Sequence, residues 1–256
     1  MTLHRRQFLN LAAGTVAAGL LSTNQPVQGG TKLTIKAIGF DAFTTFDPRP
    51  ISALADRLFP GRGADLSNLW RTRLFEYTWL RTLYGNYAVF WQVAQDALKF
   101  AAEMLKLELT VEKREELMGA FLKLKAYTDV LSALQSLKDA GIRMAFVSDL
   151  TGQILESAVK NSGLEGFFEF NLSTDAVKAF KPDRRAYQMA IDAFKLRREE
   201  IAFAAFGGWD AGGAKSFGYT TFWVNRLNLP VEQVGVAPDG IGETLTALAD
   251  FVRGKV

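Results

Sequence analysis

The sequence contains no cysteine, and its only histidine is His4, among 256 residues. The lack of cysteine excludes a disulfide, a thiol nucleophile and a zinc–thiolate site. His4 lies in an N-terminal segment that we expect to be removed, and the rest of the chain has no imidazole. That absence excludes Ser-His-Asp catalysis and histidine-ligated metal sites from the mature chain. Enzymatic chemistry would therefore use carboxylates, lysine, arginine and hydroxyl groups.

The chain also lacks a large excess of charge of either sign. Its formal net charge is +3, and Arg5 and Arg6 supply two of these charges, so about +1 would remain without residues 1–30. A near-neutral surface has no electrostatic footprint for nucleic acid. With 48% hydrophobic and 12% aromatic residues, the chain can bury one substantial core and a smaller module.

The N-terminal thirty residues differ from the rest of the chain. Arg5 and Arg6 precede a run of small apolar residues at positions 11–21, which is typical of a twin-arginine export signal. The run is short for a bilayer span, which needs about 20 residues, and an uncleaved membrane anchor is the alternative. We expect an export signal over residues 1–30, the twin-arginine export machinery as a partner, and a periplasmic location.

The next part of the chain predicts one buried strand followed by a long helical region. Residues 33–40 are mostly apolar and end at Asp41, as expected for a buried strand. Apolar residues then recur at helical spacing from about 51 to 124, and Pro60-Gly61 and Gly85-Asn86 divide this region. The pattern predicts an all-helical insertion after the first strand.

Strands and helices alternate after Thr128, which predicts a doubly wound parallel sheet. Ligands of such sheets bind beyond the carboxyl ends of the strands, where Asp41, Ser148 and Gly207 are expected. The predicted helices cover residues 130–140, 153–162, 184–194, 211–217 and 243–253, and the predicted strands cover 143–147, 168–172, 201–206 and 220–224.

Four segments in chain order resemble the motifs of the haloacid dehalogenase superfamily. They are an aspartate at a strand end, a strand-end serine, a Lys-Pro pair with a tyrosine, and a glycine-rich stretch. In this sequence they are Phe40-Asp41-Ala42-Phe43-Thr44-Thr45, Val147-Ser148-Asp149, Lys181-Pro182 with Tyr187, and residues 207–218. The resemblance extends from about residue 35 to 252.

The helical insertion resembles the cap of one branch of that superfamily, the (S)-2-haloacid dehalogenases. The similar segments are Leu69-Trp70-Arg71, residues 76–81, Phe90-Trp91-Gln92 and, near the end of the chain, Asn225-Arg226. The resemblance implies an α/β fold with a doubly wound, Rossmann-like parallel-sheet core and an all-helical cap after the first strand. It divides the chain into a core of residues 31–48 and 127–256 and a cap of residues 49–126.

Phosphatases of the same superfamily are the competing interpretation. They carry a second aspartate two positions after the nucleophile and a magnesium-binding aspartate in the fourth motif. This sequence has Phe43 and Phe206 at those positions, and a phenyl ring offers no oxygen ligand to Mg²⁺. The resemblance therefore implies no metal and no cofactor.

The implied reaction converts short (S)-2-haloacids to 2-hydroxy acids with inversion, through an ester on Asp41. Lys181 would keep Asp41 ionised, and Arg71 would bind the departing halide. Asp210 would orient Lys181 and the attacking water. Thr45 would donate a hydrogen bond to Asp41.

The resemblance also implies a set of substrate-binding residues. Ser148 and the backbone N–H groups of Ala42 and Phe43 would hold the substrate carboxylate. Tyr187 would support the site, and Trp209 would form an apolar wall. Asp149 follows the strand-end serine and would lie beside the halide. The expected partners are the haloacid and halide, with a homodimer left open.

Four residues depart from the family pattern. Asp149 replaces an asparagine, Ala205 and Gly207 replace a serine and an asparagine, and Thr44 replaces a glycine. The charge of Asp149 would repel halide unless the carboxyl is protonated. Two alternatives therefore remain: a hydrolase of another small acid or ester with the same nucleophile, and a non-catalytic paralogue that binds a small carboxylate.

Overall fold

Six parallel strands form the centre of the computed structural model, which describes residues 34–254. The predicted export signal at residues 1–30 lies outside the described residues. The strands lie in the order β3-β2-β1-β4-β5-β6. Their bounds are β1 Ala37–Phe40, β2 Arg143–Ser148, β3 Phe170–Ser173, β4 Ile201–Ala205, β5 Thr220–Val224 and β6 Gly240–Gly242.

The central strands are apolar along their whole length because helices cover both faces of the sheet. Every residue of β1 and β4 is buried. β1 pairs with β2 on one side and β4 on the other, which places Phe40 between Phe146 and Ala204. Successive connections run outward in opposite directions from β1, so a crevice forms beyond its carboxyl end. Asp41 lies at this crevice.

Helices account for most of the chain outside the sheet. Among the described residues, six α-helices come between β1 and β2, and four follow between or after the later strands. The bounds are α1 Ala42–Thr45, α2 Arg49–Leu58, α3 Gly63–Tyr84, α4 Phe90–Met104, α5 Val111–Gly119, α6 Val130–Asp139, α7 Gly152–Asn161, α8 Arg184–Phe194, α9 Gly208–Phe217 and α10 Leu245–Arg253. The predicted fold class is confirmed.

The chain enters and leaves the helical cap at two neighbouring points. Phe46 and Ala126 form an isolated antiparallel bridge. The Asp47 N–H donates to the Lys125 carbonyl at 2.9 Å, and the Tyr127 N–H donates to the Thr45 carbonyl at 3.1 Å. These contacts lie close to the predicted boundaries at 48/49 and 126/127, and the division into domains stays a prediction.

The Pro60-Gly61 and Gly85-Asn86 pairs located two breaks between cap helices, whereas the break between α4 and α5 and one strand were not predicted. Helix α3 begins after Pro60-Gly61 and ends at Tyr84, and the next residue, Gly85, caps it with a left-handed φ of 69°. Strand β6 was not predicted, because three residues at a sheet edge are too short for an alternating pattern. Helix α9 begins at Gly208, three residues before the predicted start. Across residues 34–254, none of the helices combines the length and apolarity that crossing a bilayer requires.

Candidate active site

Asp41 directly follows the central strand β1 and caps the short helix α1. Its Oδ1 accepts the Phe43 N–H at 2.8 Å, and its carbonyl accepts the Thr44 hydroxyl at 2.7 Å. Side-chain capping of this kind fixes the rotamer of an aspartate. The carboxylate is therefore held at the carboxyl end of the sheet. The Phe43 N–H, which we expected to bind substrate, donates to Asp41 in this structure. Ala42, the other residue whose N–H was expected to bind substrate, is fully buried.

The predicted hydrogen bond from Thr45 to Asp41 is wrong. The Thr45 hydroxyl lies 3.4 Å from the Thr44 hydroxyl and makes no hydrogen bond to Asp41. Thr44, one residue closer, reaches the Asp41 carbonyl because helical geometry brings a hydroxyl back toward the residue three positions earlier. Thr44, noted in the sequence only as a departure from the family, therefore stabilises the turn that carries Asp41.

Arg226 holds this turn from the opposite side. Its guanidinium donates to the Thr44 carbonyl at 2.9 and 2.7 Å and forms a bidentate ion pair with the Asp129 carboxylate. The guanidinium also stacks over the ring of Tyr127, 3.8 Å from its centroid. The family resemblance included Arg226 without a role. The structure places it among residues that support the Asp41 turn.

Lys181 is fully buried between two carboxylates. Its Nζ contacts Oδ2 of Asp41 and donates to Oδ2 of Asp210 at 2.8 Å. Burial alone would lower the pKa of Lys181, but the charges of Asp210 and Asp41 outweigh burial and raise it. The lysine is therefore a permanent cation beside Asp41. Its expected contact with Asp41 is present.

Asp210 holds the Lys181 side chain in place by accepting a hydrogen bond from its Nζ. Its Oδ1 accepts the Tyr187 hydroxyl at 2.7 Å, so both of its carboxylate oxygens are hydrogen-bonded. Tyr187 is anchored in turn, since its carbonyl accepts the Tyr219 hydroxyl at 2.6 Å. Burial raises the pKa of Asp210 and of Tyr187 above their ordinary values. The expected contact between Asp210 and Lys181 is present, and its expected role toward water stays a prediction.

A glycine allows Tyr187 to approach helix α9. A Cβ at Gly213 would lie 2.5 Å from the Tyr187 hydroxyl and 2.7 Å from Pro182. The residue beside the Asp210–Tyr187 contact must therefore be glycine if both helices are to keep their positions. Gly213 therefore allows Tyr187 and Pro182 to pack directly against helix α9.

Ser148 and Asp149 follow strand β2 at the same edge of the sheet. The Ser148 hydroxyl accepts the Leu150 N–H at 3.1 Å, and Oδ1 of Asp149 accepts the Lys181 N–H at 3.0 Å. Asp149 therefore anchors the backbone of Lys181, a contact that the sequence did not predict. Burial raises the pKa of Asp149 to about 7, against the lowering influence of Lys181.

A cavity of about 340 Å³, here called the site cavity, lies between these residues and the cap. Its core side contains Asp41, Phe43, Ser148, Asp149 and Trp209, and its cap side contains residues of helix α3. The α3 residues are Arg71, Thr72, Phe75, Glu76 and Trp79. Sequence-predicted residues from both parts of the chain thus meet at one cavity.

Arg71 lies on the cap side, where the resemblance placed it. Its side chain is exposed and makes no hydrogen bond or ion pair with any other described residue. A cation without a protein partner at the wall of a cavity is available to an anion inside it. The structure therefore permits the expected halide contact, and the role itself stays a prediction.

Trp209 forms an aromatic wall with two cap residues. Its ring centroid lies 5.2 Å from that of Phe75 and 5.4 Å from that of Trp79. A Cβ at Gly207 would lie 2.7 Å from Nε1 of Trp209. The departure at Gly207 thus has a structural reason, because a larger side chain would displace the indole.

Several lining residues were not predicted as part of the site. Phe75 and Trp79 follow Arg71 by four and eight positions, so the helical repeat could have identified this face. Leu227, Leu229 and Glu232 belong to the loop after β5. No spacing in the sequence indicates where that loop folds, because its position depends on contacts with distant residues.

Phe43 and Phe206 lie beside Asp41, with ring centroids 5.8 Å apart, and both line the site cavity. They place hydrocarbon where a hard cation would need oxygen ligands. Within residues 34–254, histidine, aspartate and glutamate nowhere form a group of three or more suited to a metal ion. The expectation of a reaction without metal stays a prediction.

Comparisons with known proteins agree with this geometry. The family model described as haloacid dehalogenase-like hydrolase matches residues 85–224. An (S)-2-haloacid dehalogenase of Pseudomonas sp. strain YL is 39% identical over 218 residues, covering 85% of this chain and 94% of that protein. A haloacetate dehalogenase of Moraxella sp. strain B is 35% identical, covering 85% and 98%.

The chain belongs to the haloacid dehalogenase-like hydrolases. Among solved structures of this hydrolase family, the L-2-haloacid dehalogenase of Xanthobacter autotrophicus superimposes with a TM-score of 0.80 at 31% identity, over 87% of this chain and all of that one. That structure carries chloropropionic acid covalently bound. The fold and the family resemblance read from the sequence are confirmed.

Proposed function

We propose that this haloacid dehalogenase-like hydrolase converts short (S)-2-haloacids to 2-hydroxy acids, with Asp41 as nucleophile. The observation that carries the proposal is the hydrogen-bonded series from Asp41 through Lys181 to Asp210 and Tyr187, at the edge of a cavity that also contains Arg71. The names of the curated relatives and the covalent chloropropionate complex of the Xanthobacter enzyme support it.

The first step forms a bond between a carboxylate oxygen of Asp41 and C2 of the substrate. The carbon–halogen bond breaks from the opposite side, so halide leaves with its electron pair and C2 inverts. Lys181 holds Asp41 in place and offsets the negative charges of nucleophile and substrate. Arg71 stabilises the departing halide, and Ser148 contacts the substrate carboxylate.

The second step hydrolyses the ester. Water attacks the carbonyl carbon of Asp41, the bond from that carbon to the substrate oxygen breaks, and the 2-hydroxy acid leaves with one original Asp41 oxygen. One proton is released, and the inverted configuration at C2 is kept. Asp210 keeps Lys181 beside the carbonyl, where its charge stabilises the oxyanion.

The proposal is tested by following free halide during incubation with each enantiomer of 2-chloropropionate. We expect release from the (S) enantiomer alone. Asp41→Asn should abolish release without unfolding the protein, because asparagine is nearly isosteric and keeps an acceptor for the Phe43 N–H. Asp139→Asn, at an exposed position on helix α6, is the matched control and should stay active. Unchanged activity of Asp41→Asn contradicts the proposal.

A single turnover in ¹⁸O water distinguishes attack by Asp41 from direct attack by water. If Asp41 attacks, the label enters the Asp41 carboxylate and the hydroxyl of the first product stays unlabelled. Label in that hydroxyl during the first turnover would show that water attacks C2. Absence of halide release from every haloacid tested favours the non-catalytic alternative, and Asp149, Ala205 and Gly207 are then the first positions to revert.

We also propose that the reaction needs no metal, which Phe43 and Phe206 beside Asp41 support. Halide release should be unchanged after treatment with a chelator and after addition of Mg²⁺. Loss of activity that Mg²⁺ restores contradicts this proposal.

Export through the twin-arginine pathway is a separate proposal, supported by Arg5-Arg6 before an apolar run. A reporter fused to residues 1–35 should reach the periplasm only in cells with a working pathway. The same fusion with Arg5→Lys and Arg6→Lys is the matched control and should stay inside. Equal export of both fusions contradicts the proposal.

Self-association into a homodimer is a further proposal. It is supported by large apolar side chains exposed at the end of helix α3, where Leu83 and Tyr84 are 80% and 72% exposed. Sedimentation of the purified protein over a range of concentrations measures it, and a monomer throughout that range contradicts it.

A further inference from the structure

A second cavity of about 200 Å³, here called the cap cavity, lies beside the site cavity. Ile51, Trp70, Leu74 and Phe121 give it a mainly apolar lining, and the proposed mechanism uses none of them. Ser67 also lines it, and its buried hydroxyl has no hydrogen-bond partner. The cap cavity is therefore an apolar space that the reaction of a short haloacid leaves unexplained.

The two cavities have a common wall that consists of side chains. The residues that line both are Phe43, Arg71, Phe75, Phe206 and Leu227. All five are at least partly exposed, and Arg71 has no hydrogen bond or ion pair to hold it among the described residues. Rotation of exposed side chains takes only nanoseconds or less, so a ligand in the site cavity can extend past this wall.

We infer that the cap cavity binds the alkyl tail of a longer 2-haloacid whose carboxyl group and C2 occupy the site cavity. The inference deepens the proposed function and rests on it. An apolar lining favours an alkyl tail over a charged or hydrated group. The site cavity already has room for a three-carbon acid, and the neighbouring apolar space rewards each additional methylene that enters it.

The size of the expected effect follows from the transfer of methylene groups. Each buried methylene contributes about 0.8 kcal/mol, which corresponds to about a fourfold change in affinity. The specificity constant should therefore rise from 2-bromopropionate to 2-bromohexanoate by about one order of magnitude or more. A site closed at its cap side would instead exclude the longer acid.

The inference is tested by filling the cap cavity without touching the catalytic residues. Ser67→Leu adds an apolar side chain at a position whose hydroxyl has no partner, so no hydrogen bond is lost. We expect kcat/KM for 2-bromohexanoate to fall at least about tenfold, while that for 2-bromopropionate stays within about twofold. Ser216→Leu, at an exposed position of helix α9, is the matched control and should change neither value.

A second cavity-filling variant and a binding titration complete the test. If Ser67→Leu does not fold, Ser52→Phe fills the cap cavity from its exposed side and should give the same selective loss. Calorimetric titration of Asp41→Asn with hexanoate and propionate reports tail binding without turnover.

Failure of the proposed function and failure of tail binding in the cap cavity give different experimental results. One outcome is that no haloacid releases halide, while hexanoate binds more tightly than propionate and Ser67→Leu removes the difference. That outcome contradicts the proposed function and supports binding of the alkyl tail in the cap cavity. Another outcome is that 2-bromopropionate is turned over but kcat/KM does not rise with chain length, or that Ser67→Leu and Ser52→Phe lower kcat/KM equally for both substrates. Either result overturns tail binding in the cap cavity and leaves the proposed function intact.

Discussion

The two walls of the site cavity differ in how firmly their side chains are held. On the core wall, Asp41 is joined by hydrogen bonds to Lys181 and through it to Asp210, and these two residues are fully buried behind the cavity lining. On the cap wall, Arg71 is exposed and has no hydrogen bond to another described residue, and Phe75 meets the core through ring contacts with Trp209.

The core wall therefore positions the reacting groups, and the cap wall can adapt to the substrate. Hydrogen-bonded charges in a buried site have one low-energy arrangement, because each unmet partner costs free energy. Aromatic contacts and an unpaired arginine tolerate small displacements, so the cap wall can adjust to substrates of different length. We therefore expect changes in the core wall to lower kcat, and changes in the cap wall to alter substrate preference.

The largest expected effect comes from removing the central cation of the core wall. Lys181→Met leaves Asp41 and Asp210 as neighbouring carboxylates without their shared partner. Breaking a buried ion pair on one side lowers the free energy of unfolding by about 3–5 kcal/mol. The loss of charge stabilisation should lower kcat about a hundredfold or more. Halide release and urea unfolding measure the two effects.

Lys215→Met is the matched control for that variant. Lys215 pairs with Asp239 at 2.7 Å on the partly exposed surface, where an ion pair contributes about 0–1 kcal/mol. The control should keep its activity. Equal losses from both substitutions would mean that the buried position of Lys181 has no special role.

An effect on stability that depends on pH, with a smaller effect on catalysis, is expected at Asp149. Burial raises the pKa of this carboxyl from 3.8 to about 7 in the folded protein. Between about pH 4 and 7 the folded state keeps a proton that the unfolded state has lost, so stability falls as the pH rises and is constant above about pH 7. The largest slope is about 1.4 kcal/mol per pH unit.

Asp149→Asn removes this dependence and keeps an oxygen acceptor for the Lys181 N–H. The variant should therefore gain stability relative to the unmodified protein as the pH rises from 4 to 7, with a constant advantage above that. Urea unfolding at several pH values measures the difference, and Asp139→Asn serves as the exposed control. Lower stability of Asp149→Asn at pH 8 would show that burial does not dominate at this carboxyl.

The smallest effect tests a place where a hydrogen bond and a ring contact join the cap to the core. The Tyr87 hydroxyl donates to the Asp175 carboxylate, and its ring stacks on Phe180, with centroids 4.9 Å apart. Phe180 directly precedes Lys181, and its N–H donates to the Thr82 hydroxyl at 3.1 Å. The cap therefore helps to position the loop that carries Lys181.

Tyr87→Phe should lower kcat by about two- to tenfold, the equivalent of one hydrogen bond, and leave KM unchanged. Tyr84→Phe, three residues earlier in the chain and 72% exposed, is the matched control. A change in KM alone would indicate that Tyr87 affects substrate binding rather than the position of Lys181.

Much of the fold could be predicted because strands and helices differ in their apolar periodicity. The alternation after Thr128 predicted the parallel sheet, and Pro60-Gly61 and Gly85-Asn86 predicted two of the breaks between cap helices. Strand β6 escaped prediction because its three residues, Gly240–Gly242, are too few for a periodic pattern and pair only with β5 at the edge of the sheet.

The candidate site was predicted in part. Asp41 and Ser148 could be located because parallel strands bring their carboxyl ends to one edge. The family resemblance supplied Lys181, Asp210 and Arg71. The choice between Thr44 and Thr45 could not be made, because it depends on which hydroxyl faces the Asp41 carbonyl in a helix of four residues.

The sequence by itself determined the alternation of strands and helices after Thr128 and the absence of thiol and imidazole chemistry after residue 4. These follow from composition and from short-range patterns that do not depend on distant contacts, whereas the aspartate nucleophile was implied by the family resemblance. Only the tertiary structure decided that Asp149 anchors the Lys181 backbone, that Gly207 makes room for Trp209, and that a second cavity adjoins the first. Each of these depends on the approach of segments far apart in the chain, and packing in three dimensions alone sets that approach.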